Sequence, residues 1–538
     1  MVEIEVKGHS GCQIDIARED RDLYIYKSSY DAKYLSRLVK QAQKQQKAAV
    51  EEYQHVRIPQ IYSIDQDEKH VSVKMEYVYS RNFVEYFESA GFEQINYFIK
   101  ALILFIGKEL KVSPVQKVPT KITIDKYNDV VKNINSNKRL KEDLEIQNLL
   151  QLTKKMFDDM AELDSIEIPL GLCHGDLTFS NILFNGNNYY LIDFLDSFLE
   201  SPLMDIVKIR QDSSHMWSQL MYIKPYDNLR LKIICEKIDF EIDKYFSRYD
   251  WYRRYYHVFQ VLNLLRILQY AKEDKVILFL KKELNKLVGA EPYRNKSNFD
   301  PISKSNRFSL IIPIAANDEE HPDMMPYVFN LDSTGMMLCI RAVQGLNLDV
   351  FDDVYFTILR KHAEKFCLDE MFKLQFKRLG MKNAHLVIID NPTTSQSETV
   401  YKTILKASIT GSIFIKDADG YFNAIINKEN SVAVFPLEQM NMVDPQHKSY
   451  VSVDDMSYIT NIIEKRVISH YFNVGGVCFE DTSDFLHYYF ELSTQSHHIC
   501  MSHIVYAMLL DNQKFRPVIT DDYIDWGNEQ LLKYHQYG

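Results

Sequence analysis

Residues 170–212 read LGLCHGDLTFSNILFNGNNYYLIDFLDSFLESPLMDIVKIRQD, and the rest of the chain is organised around them. His174, Gly175 and Asp176 come first; Asn181 follows Asp176 by five residues, and Asp193 follows Asn181 by twelve. Between them, Ile182-Leu183-Phe184 and Tyr189-Tyr190-Leu191-Ile192 are short apolar runs around Asn185-Gly186-Asn187-Asn188. That is the pattern of a two-stranded hairpin with a polar turn. The hairpin would hold Asp176 and Asn181 at one strand mouth and Asp193 at the next. Phosphoryl transfer needs such a set: a carboxylate that orients the attacking hydroxyl, and an amide and second carboxylate that hold Mg²⁺ on the nucleotide phosphates.

In these residues the segment resembles the aminoglycoside phosphotransferase and choline kinase family, whose catalytic loop H-G-D-x-x-x-x-N is followed by I-D-F. The resemblance implies Asp176 as catalytic base, Asn181 as a metal ligand and Asp193 as the main Mg²⁺ ligand. It matches Pro202 and Asp205 of Ser201-Pro202-Leu203-Met204-Asp205 to the family's structural P-x-x-D. It also implies ATP and Mg²⁺ as cofactors and a small-molecule acceptor, a sugar or amino alcohol. The fold that goes with it is an α+β protein-kinase-like bilobal domain, with an N-lobe at 1–80 and a helical C-lobe at 81–290.

The N-terminal stretch fits such a lobe. Ile4-Glu5-Val6 and Gln13-Ile14-Asp15-Ile16 alternate like strands around a turn holding Gly8 and Gly11, and Leu23-Tyr24-Ile25-Tyr26 reads as a third strand ending at Lys27. Strand, glycine-bearing turn, strand, then lysine is how a kinase N-lobe covers nucleotide phosphates. Gly8, Gly11 and Lys27 are therefore expected at the nucleotide, with Lys27 on the α/β-phosphates. A helix is expected over 34–54, with Leu35, Leu38, Val39, Ala42 and Val50 on its apolar face. Kinase-like folds set a glutamate here against the strand lysine. This stretch carries Gln41, Gln43, Gln45 and Gln46, with Glu51 and Glu52 late, so the partner of Lys27 stays open. Residues 70–78 read as a strand entering a hinge. The family binds adenine through hinge backbone groups, which places Glu76, Tyr77 and Val78 beside the base.

Periodicity predicts helices over 83–112, 144–163, 207–223 and 228–247, and one or two more over 252–286. Lys208 and Arg210 could line the acceptor pocket, but charges on a helix flank are usually solvated, and that is the expectation here. The aromatic and basic crowding at 251–256 is expected to serve packing of the lobe.

Hydrophobic residues make up 46% and charged residues 25% of 538, an ordinary soluble composition with room for about three domain-sized units. The net charge of -11 argues against a nucleic-acid-binding surface. Seven scattered cysteines without a C-x-x-C pair suit reduced thiols in a cytoplasmic protein. Met1-Val2-Glu3-Ile4-Glu5 is not a signal peptide, and no uncharged apolar run is long enough for a membrane span.

Residues 291–307 read as a linker, with Pro292 and Pro301 in a polar stretch that lacks apolar period. Beyond it, buried strands at 308–315, 386–390 and 412–416 alternate with helical stretches, which predicts a mostly parallel sheet covered by helices over 308–538. This part resembles sugar-phosphate nucleotidyltransferases of α/β Rossmann-like fold. The likeness rests on Ile312-Pro313-Ile314-Ala315, Gly335-Met336-Met337-Leu338, Gln396-Ser397-Glu398-Thr399-Val400, Phe414-Ile415-Lys416-Asp417-Ala418-Asp419, Asn473-Val474-Gly475-Gly476 and Ile524-Asp525-Trp526-Gly527. It implies Asp417 and Asp525 as Mg²⁺ ligands, with Asp419 as a second carboxylate. The family's glycine-rich, arginine-bearing phosphate loop is replaced by Ala315-Ala316-Asn317-Asp318-Glu319-Glu320-His321-Pro322. Carboxylates there repel phosphate, so the second domain is expected to be a divergent relative.

Together the two resemblances imply an ATP- and Mg²⁺-dependent small-molecule kinase fused to a divergent nucleotidyltransferase-like domain, supplying precursors for surface polysaccharide or capsule. Two other readings stand beside it. One is a bifunctional kinase and nucleotidyltransferase that makes a nucleotide-activated sugar or amino alcohol; the other is a non-catalytic ligand-binding scaffold.

Overall fold

The computed structural model describes residues 12–289, 305–315, 324–440 and 448–526. Gly8, Gly11 and most of the 291–307 linker lie outside these residues. The chain divides into two compact units: Met1–Glu88 with Gln94–Asn295, and Ser89–Glu93 with Lys296–Gly538.

The first unit begins with a four-stranded antiparallel sheet in the order Gln13–Glu19, Asp22–Ser29, Val71–Glu76, Ile61–Gln66. The helix Leu35–Ala49 packs on it through Leu35, Leu38 and Ala42 against Ile61, Val71 and Val73. Gln41 and Gln45 share that buried face. The Gln45 amide is satisfied by the Pro59 carbonyl at 3.0 Å, and Tyr34 donates to Gln41 Oε1 at 3.2 Å. The helix is shorter than expected, and Val50, read as a core position, is 83% exposed because the helix has already ended. Lys27 lies inside its strand rather than at the end, paired with Ile14 on one side and Val73 on the other.

The helical lobe contains Phe92–Val112, Thr120–Ser136, Leu144–Ala161, Pro202–Ser213, Asn228–Phe246, Asp250–Leu268 and Asp274–Gly289. The expected single helix over 83–112 is interrupted, with Phe83–Ser89 as a separate turn-and-a-half. The helix expected over 207–223 begins earlier. Ser201 caps it by accepting from Leu203 N at 3.2 Å, Pro202 occupies its first turn where no N–H is needed, and it stops at Ser213. The hairpin forms as expected: Ile182–Asn185 pairs with Asn188–Leu191, and Gly186 supplies the positive φ (57°) of the turn.

The second unit is built on a mixed sheet in the order Ala384–Ile389, Asp353–Leu359, Phe308–Ile314, Ser412–Lys416, Tyr471–Phe479, Ser431–Pro436, Arg516–Ile519. The first four strands are parallel, as expected. Past Ser412–Lys416 the next two pairings are antiparallel, because the chain there folds back through strands, and the last, Ser431–Pro436 with Arg516–Ile519, is parallel again. The strand Asp353–Leu359 was not read from the sequence, although its DVYFTIL run is buried almost throughout.

Candidate active site

The loop bearing Asp176, expected as catalytic, and the loop bearing Asp193, expected to bind metal, are fastened to each other by main-chain hydrogen bonds. Leu195 N donates to the His174 carbonyl at 3.0 Å, and Ile192 N donates to the Asn181 carbonyl at 3.1 Å. Gly175 sits where they cross: its φ is +88°, and a Cβ there would collide with the Leu195 carbonyl. Only glycine fits both demands. Asp193 itself has a positive φ of 61°, a conformation that aspartate tolerates better than most side chains.

Below this crossing, the wholly buried Asp205 accepts from His174 N at 2.5 Å and Gly175 N at 2.7 Å. Asp212, two turns further along the same helix, accepts from Phe179 N at 2.6 Å. Both carboxyls are pushed up to about 6 by burial. The P-x-x-D motif thus acts as a bracket that grips the catalytic loop by its backbone. His174 is also an internal strut. Its Nδ1 accepts from Asp176 N at 3.2 Å and its Nε2–H donates to the Ile192 carbonyl at 2.9 Å, which assigns a neutral tautomer. Burial lowers its pKa to about 4, in keeping with that assignment.

The side chains expected from the sequence come together. Asn181 donates through Nδ2 to Asp176 Oδ2 at 3.1 Å and to the Asp176 carbonyl at 2.8 Å. This leaves Asn181 Oδ1 as the oxygen available to a cation. Lys27 Nζ lies 2.7 Å from Asp193 Oδ1, so the open question of its partner is answered by the metal-loop aspartate. Burial works against the ammonium, but the Asp193 carboxylate outweighs it and holds the Lys27 pKa above its ordinary value. At the hinge, Glu76 makes the last sheet pair, with Tyr24, and its carboxylate is engaged by Gln60 N at 3.1 Å. Tyr77 and Val78 lie past that pair, so the sheet does not consume their backbone groups.

Asn181 and Asp193 offer one amide and one carboxylate oxygen. Among the described residues no group of three or more His, Cys, Asp or Glu side chains is placed to hold a metal ion. Two hard oxygen donors suit Mg²⁺, which keeps several waters and takes further ligands from substrate phosphates. The donor set fits.

Lys208 is the correction to the sequence reading. It is not solvated: its side chain is 14% exposed and its Nζ lies 3.1 Å from Asp176 Oδ1. Burial would raise the Asp176 pKa, but the Lys208 ammonium, aided by the Asn181 amide, holds it below the usual carboxylate value. A signal was present in the sequence. Lys208 follows Asp205 by three residues on one helix, so the residue that grips the loop and the one that reaches its base share a face. Arg210, by contrast, is structural: its guanidinium is held by both oxygens of Asp239 at 2.8 Å and by Asp243 at 2.6 Å. Tyr252 joins that network, in line with the packing role expected of the aromatic stretch.

A lysine from the first helix was also missed. Lys44 Nζ donates to the Leu195 carbonyl and to Glu200 Oε2, each at 2.7 Å, and so ties this helix to the metal loop.

In the second unit, Asp417 and Asp419 line a cavity of about 290 Å³ together with Gln396, Lys448, Asn473 and Tyr523. Asp417 N donates to the Gly475 carbonyl at 2.8 Å, and the Gln396 amide rests on the Asp417 carboxylate. Burial and the neighbouring Asp419 push the Asp417 pKa up. Asp525 is brought alongside by the pairing of its strand with Gly420, and its Oδ2 accepts from Lys448 Nζ at 2.5 Å. Asp417 and Asp419 therefore share one cavity, while Asp525 is tied to Lys448, a lysine that the sequence reading did not include; the three are not placed as a metal-holding group.

Residues 25–230 match the phosphotransferase enzyme family. The match spans Lys27, the catalytic loop, the metal loop and the bracket helix. Among solved structures, the chain is similar to a protein described as a fructosamine-3-kinase from Haemophilus somnus 129PT, at 11% identity over 53% of this chain and 91% of that one, with a TM-score of 0.36. It is also similar to a nucleoside-diphosphate-sugar pyrophosphorylase from Vibrio cholerae RC9, at 15% identity over 43% of this chain and 100% of that one (TM-score 0.36). A third is an inositol-1-phosphate CTP transferase from T. maritima, at 13% identity over 44% and 99% respectively (TM-score 0.34). No curated protein sequence matches significantly. Among the described residues no helix is long and apolar enough to cross a membrane.

Proposed function

We propose that the phosphotransferase-family unit moves the terminal phosphoryl group of ATP to a hydroxyl of a small molecule, a sugar or amino alcohol. The observation that carries this reading is the Asp176 carboxylate. It is held ionised by Lys208 and oriented by Asn181, in a loop stitched to the one bearing Asp193. Asp176 orients the acceptor hydroxyl and takes its proton as the oxygen attacks the γ-phosphorus; the bond to the β–γ bridging oxygen breaks and ADP leaves. Lys208 keeps Asp176 charged until that moment. Lys27 steadies the α/β-phosphates, and the backbone at Glu76, Tyr77 and Val78 meets the base. Mg²⁺, held by Asn181 and Asp193, would neutralise charge on the β- and γ-phosphates.

The Asp176→Asn variant should keep Mg-ATP binding and lose about 100-fold or more in kcat in a coupled ADP assay. Unchanged turnover would favour a ligand-binding scaffold. A bifunctional enzyme is the second reading, favoured by Asp417 and Asp419 lining one cavity, with Asp525 paired to Gly420 beside it; Asp417 and Asp525 would be its Mg²⁺ ligands. Under either reading we place the protein in the supply of surface polysaccharide or capsule precursors in the cytoplasm.

A further inference from the structure

Each of the three lysines at the catalytic loop has a carboxylate partner, and among the described residues Arg266 does not. Lys27 is matched by Asp193, Lys208 by Asp176 and Lys44 by Glu200. Arg266, on the helix Asp250–Leu268, makes no ion pair or side-chain hydrogen bond among the described residues. Its guanidinium lies 5.2 Å from the centre of the Phe198 ring, five residues beyond Asp193 on the metal loop. Its position relative to the base follows from the same helix face. One turn earlier, Asn263 Nδ2 donates to Gln211 Oε1 at 2.8 Å, and that oxygen also accepts from Lys208 Nζ at 3.3 Å. Lys208 in turn reaches Asp176. Residues three apart on a helix are neighbours on its surface, so Arg266 lies on the side of this chain of contacts that faces the metal loop.

A second arginine, Arg37 on Leu35–Ala49, is likewise without an ion pair among the described residues, with only the Tyr34 ring at 5.6 Å. The Asp176 carboxylate and the Arg37 guanidinium are both charges that act on Arg266, whose own pKa burial lowers. A guanidinium with five donors, partly withdrawn from water and unmatched, is costly unless a ligand completes it. Arg210 in the same lobe shows the contrast: an arginine used for structure there is saturated by two carboxylates.

We propose that the acceptor carries an anionic group, a carboxylate or a phosphate monoester, which Arg266 grips while its hydroxyl lies on Asp176. The proposal rests on the kinase reading and narrows it: unsubstituted, purely cationic amino alcohols are excluded, and acidic or phosphorylated sugars and hydroxy acids are favoured. Arginine's planar fork matches such oxyanions in a bidentate manner, which fixes orientation as well as charge.

The test uses the full chain, Mg²⁺ and γ-³²P-labelled ATP, with a cellular small-molecule extract separated by ion exchange into anionic, neutral and cationic pools. Labelled product should arise from the anionic pool. Phosphatase treatment of that pool beforehand separates the two sources: activity is lost for a phosphate monoester and retained for a carboxylate. Arg266→Met should raise the KM for the purified acceptor about 10- to 100-fold while calorimetric Mg-ATP affinity stays put, and Arg266→Lys should recover part of the loss. Label in a neutral or cationic acceptor overturns the proposal. So does label from no pool while Mg-ATP still binds, or an acceptor KM indifferent to both substitutions. Failure of the kinase reading itself looks different, as an absence of Mg-ATP binding sensitive to Asp193→Asn.

Discussion

Lys208 and Gly175 act on Asp176, the proposed base, from opposite directions, one by charge and the other by making room. The Lys208 ammonium favours the ionised form of Asp176 and so lowers its pKa. A base works only when deprotonated, so activity falls as pH drops through that pKa. Removing the ammonium raises the pKa, and the acid limb of the kcat/KM profile of Lys208→Met should shift to higher pH. A profile that drops in height with its acid limb unmoved would mean that Lys208 only packs against Asp176. Gly175 is a steric case. In Gly175→Ala the new methyl meets the Leu195 carbonyl, and the positive φ remains imposed. We expect a loss of about 2 kcal/mol or more in denaturant unfolding, with the crossing of the two loops released.

At the scale of elements, two helices hold the loops. The bracket helix grips the catalytic loop through Asp205 and Asp212, and the first helix holds the metal loop through Lys44. Kinase-like folds usually place a glutamate on that first helix against the strand lysine. Here the helix supplies a cation whose partners are Glu200 and the Leu195 carbonyl, and the strand lysine goes to Asp193 instead. Lys44→Met should therefore act on the metal loop without touching nucleotide or acceptor. The Mg²⁺ concentration for half-maximal rate should rise about 10- to 100-fold, the usual cost of losing a group that orients a ligand-bearing segment. Lys44→Arg should restore much of it; an unchanged Mg²⁺ requirement in Lys44→Met would reduce the pair to a surface tie. The sequence made the loops legible because their residues are contiguous and their spacing carries the chemistry. Lys44, Lys208 and Arg266 were not legible in that way, because each reaches the site from a different helix and only tertiary packing turns it inward. Val50 erred the other way: it fits a helical period that the chain stops following at Ala49. The strand Asp353–Leu359 was passed over because a short apolar run carries no period that separates strand from buried helix.

For the whole molecule, the question is whether one chain carries two chemistries. The second unit places Asp417 and Asp419 in one cavity with Lys448, which binds Asp525 and supplies a fixed positive charge there. Attack on an α-phosphorus, however, also needs a loop that grips the triphosphate with backbone N–H groups and a cation. The chain offers Asp318, Glu319 and Glu320 in that stretch, with no glycine pair and no arginine. Three carboxylates in such a loop oppose a triphosphate that carries the same sign of charge. With the kinase silenced by Asp193→Asn, the full chain should therefore release no pyrophosphate above background from any of the common nucleoside triphosphates with Mg²⁺ and a panel of sugar phosphates. Release with any one pair, abolished by Asp417→Asn, would make the protein bifunctional and would show that the acidic sequence 318–320 is not the phosphate-binding element. Absence of release, together with binding of a sugar phosphate to the intact protein, would leave the second unit as a ligand-binding partner of the kinase.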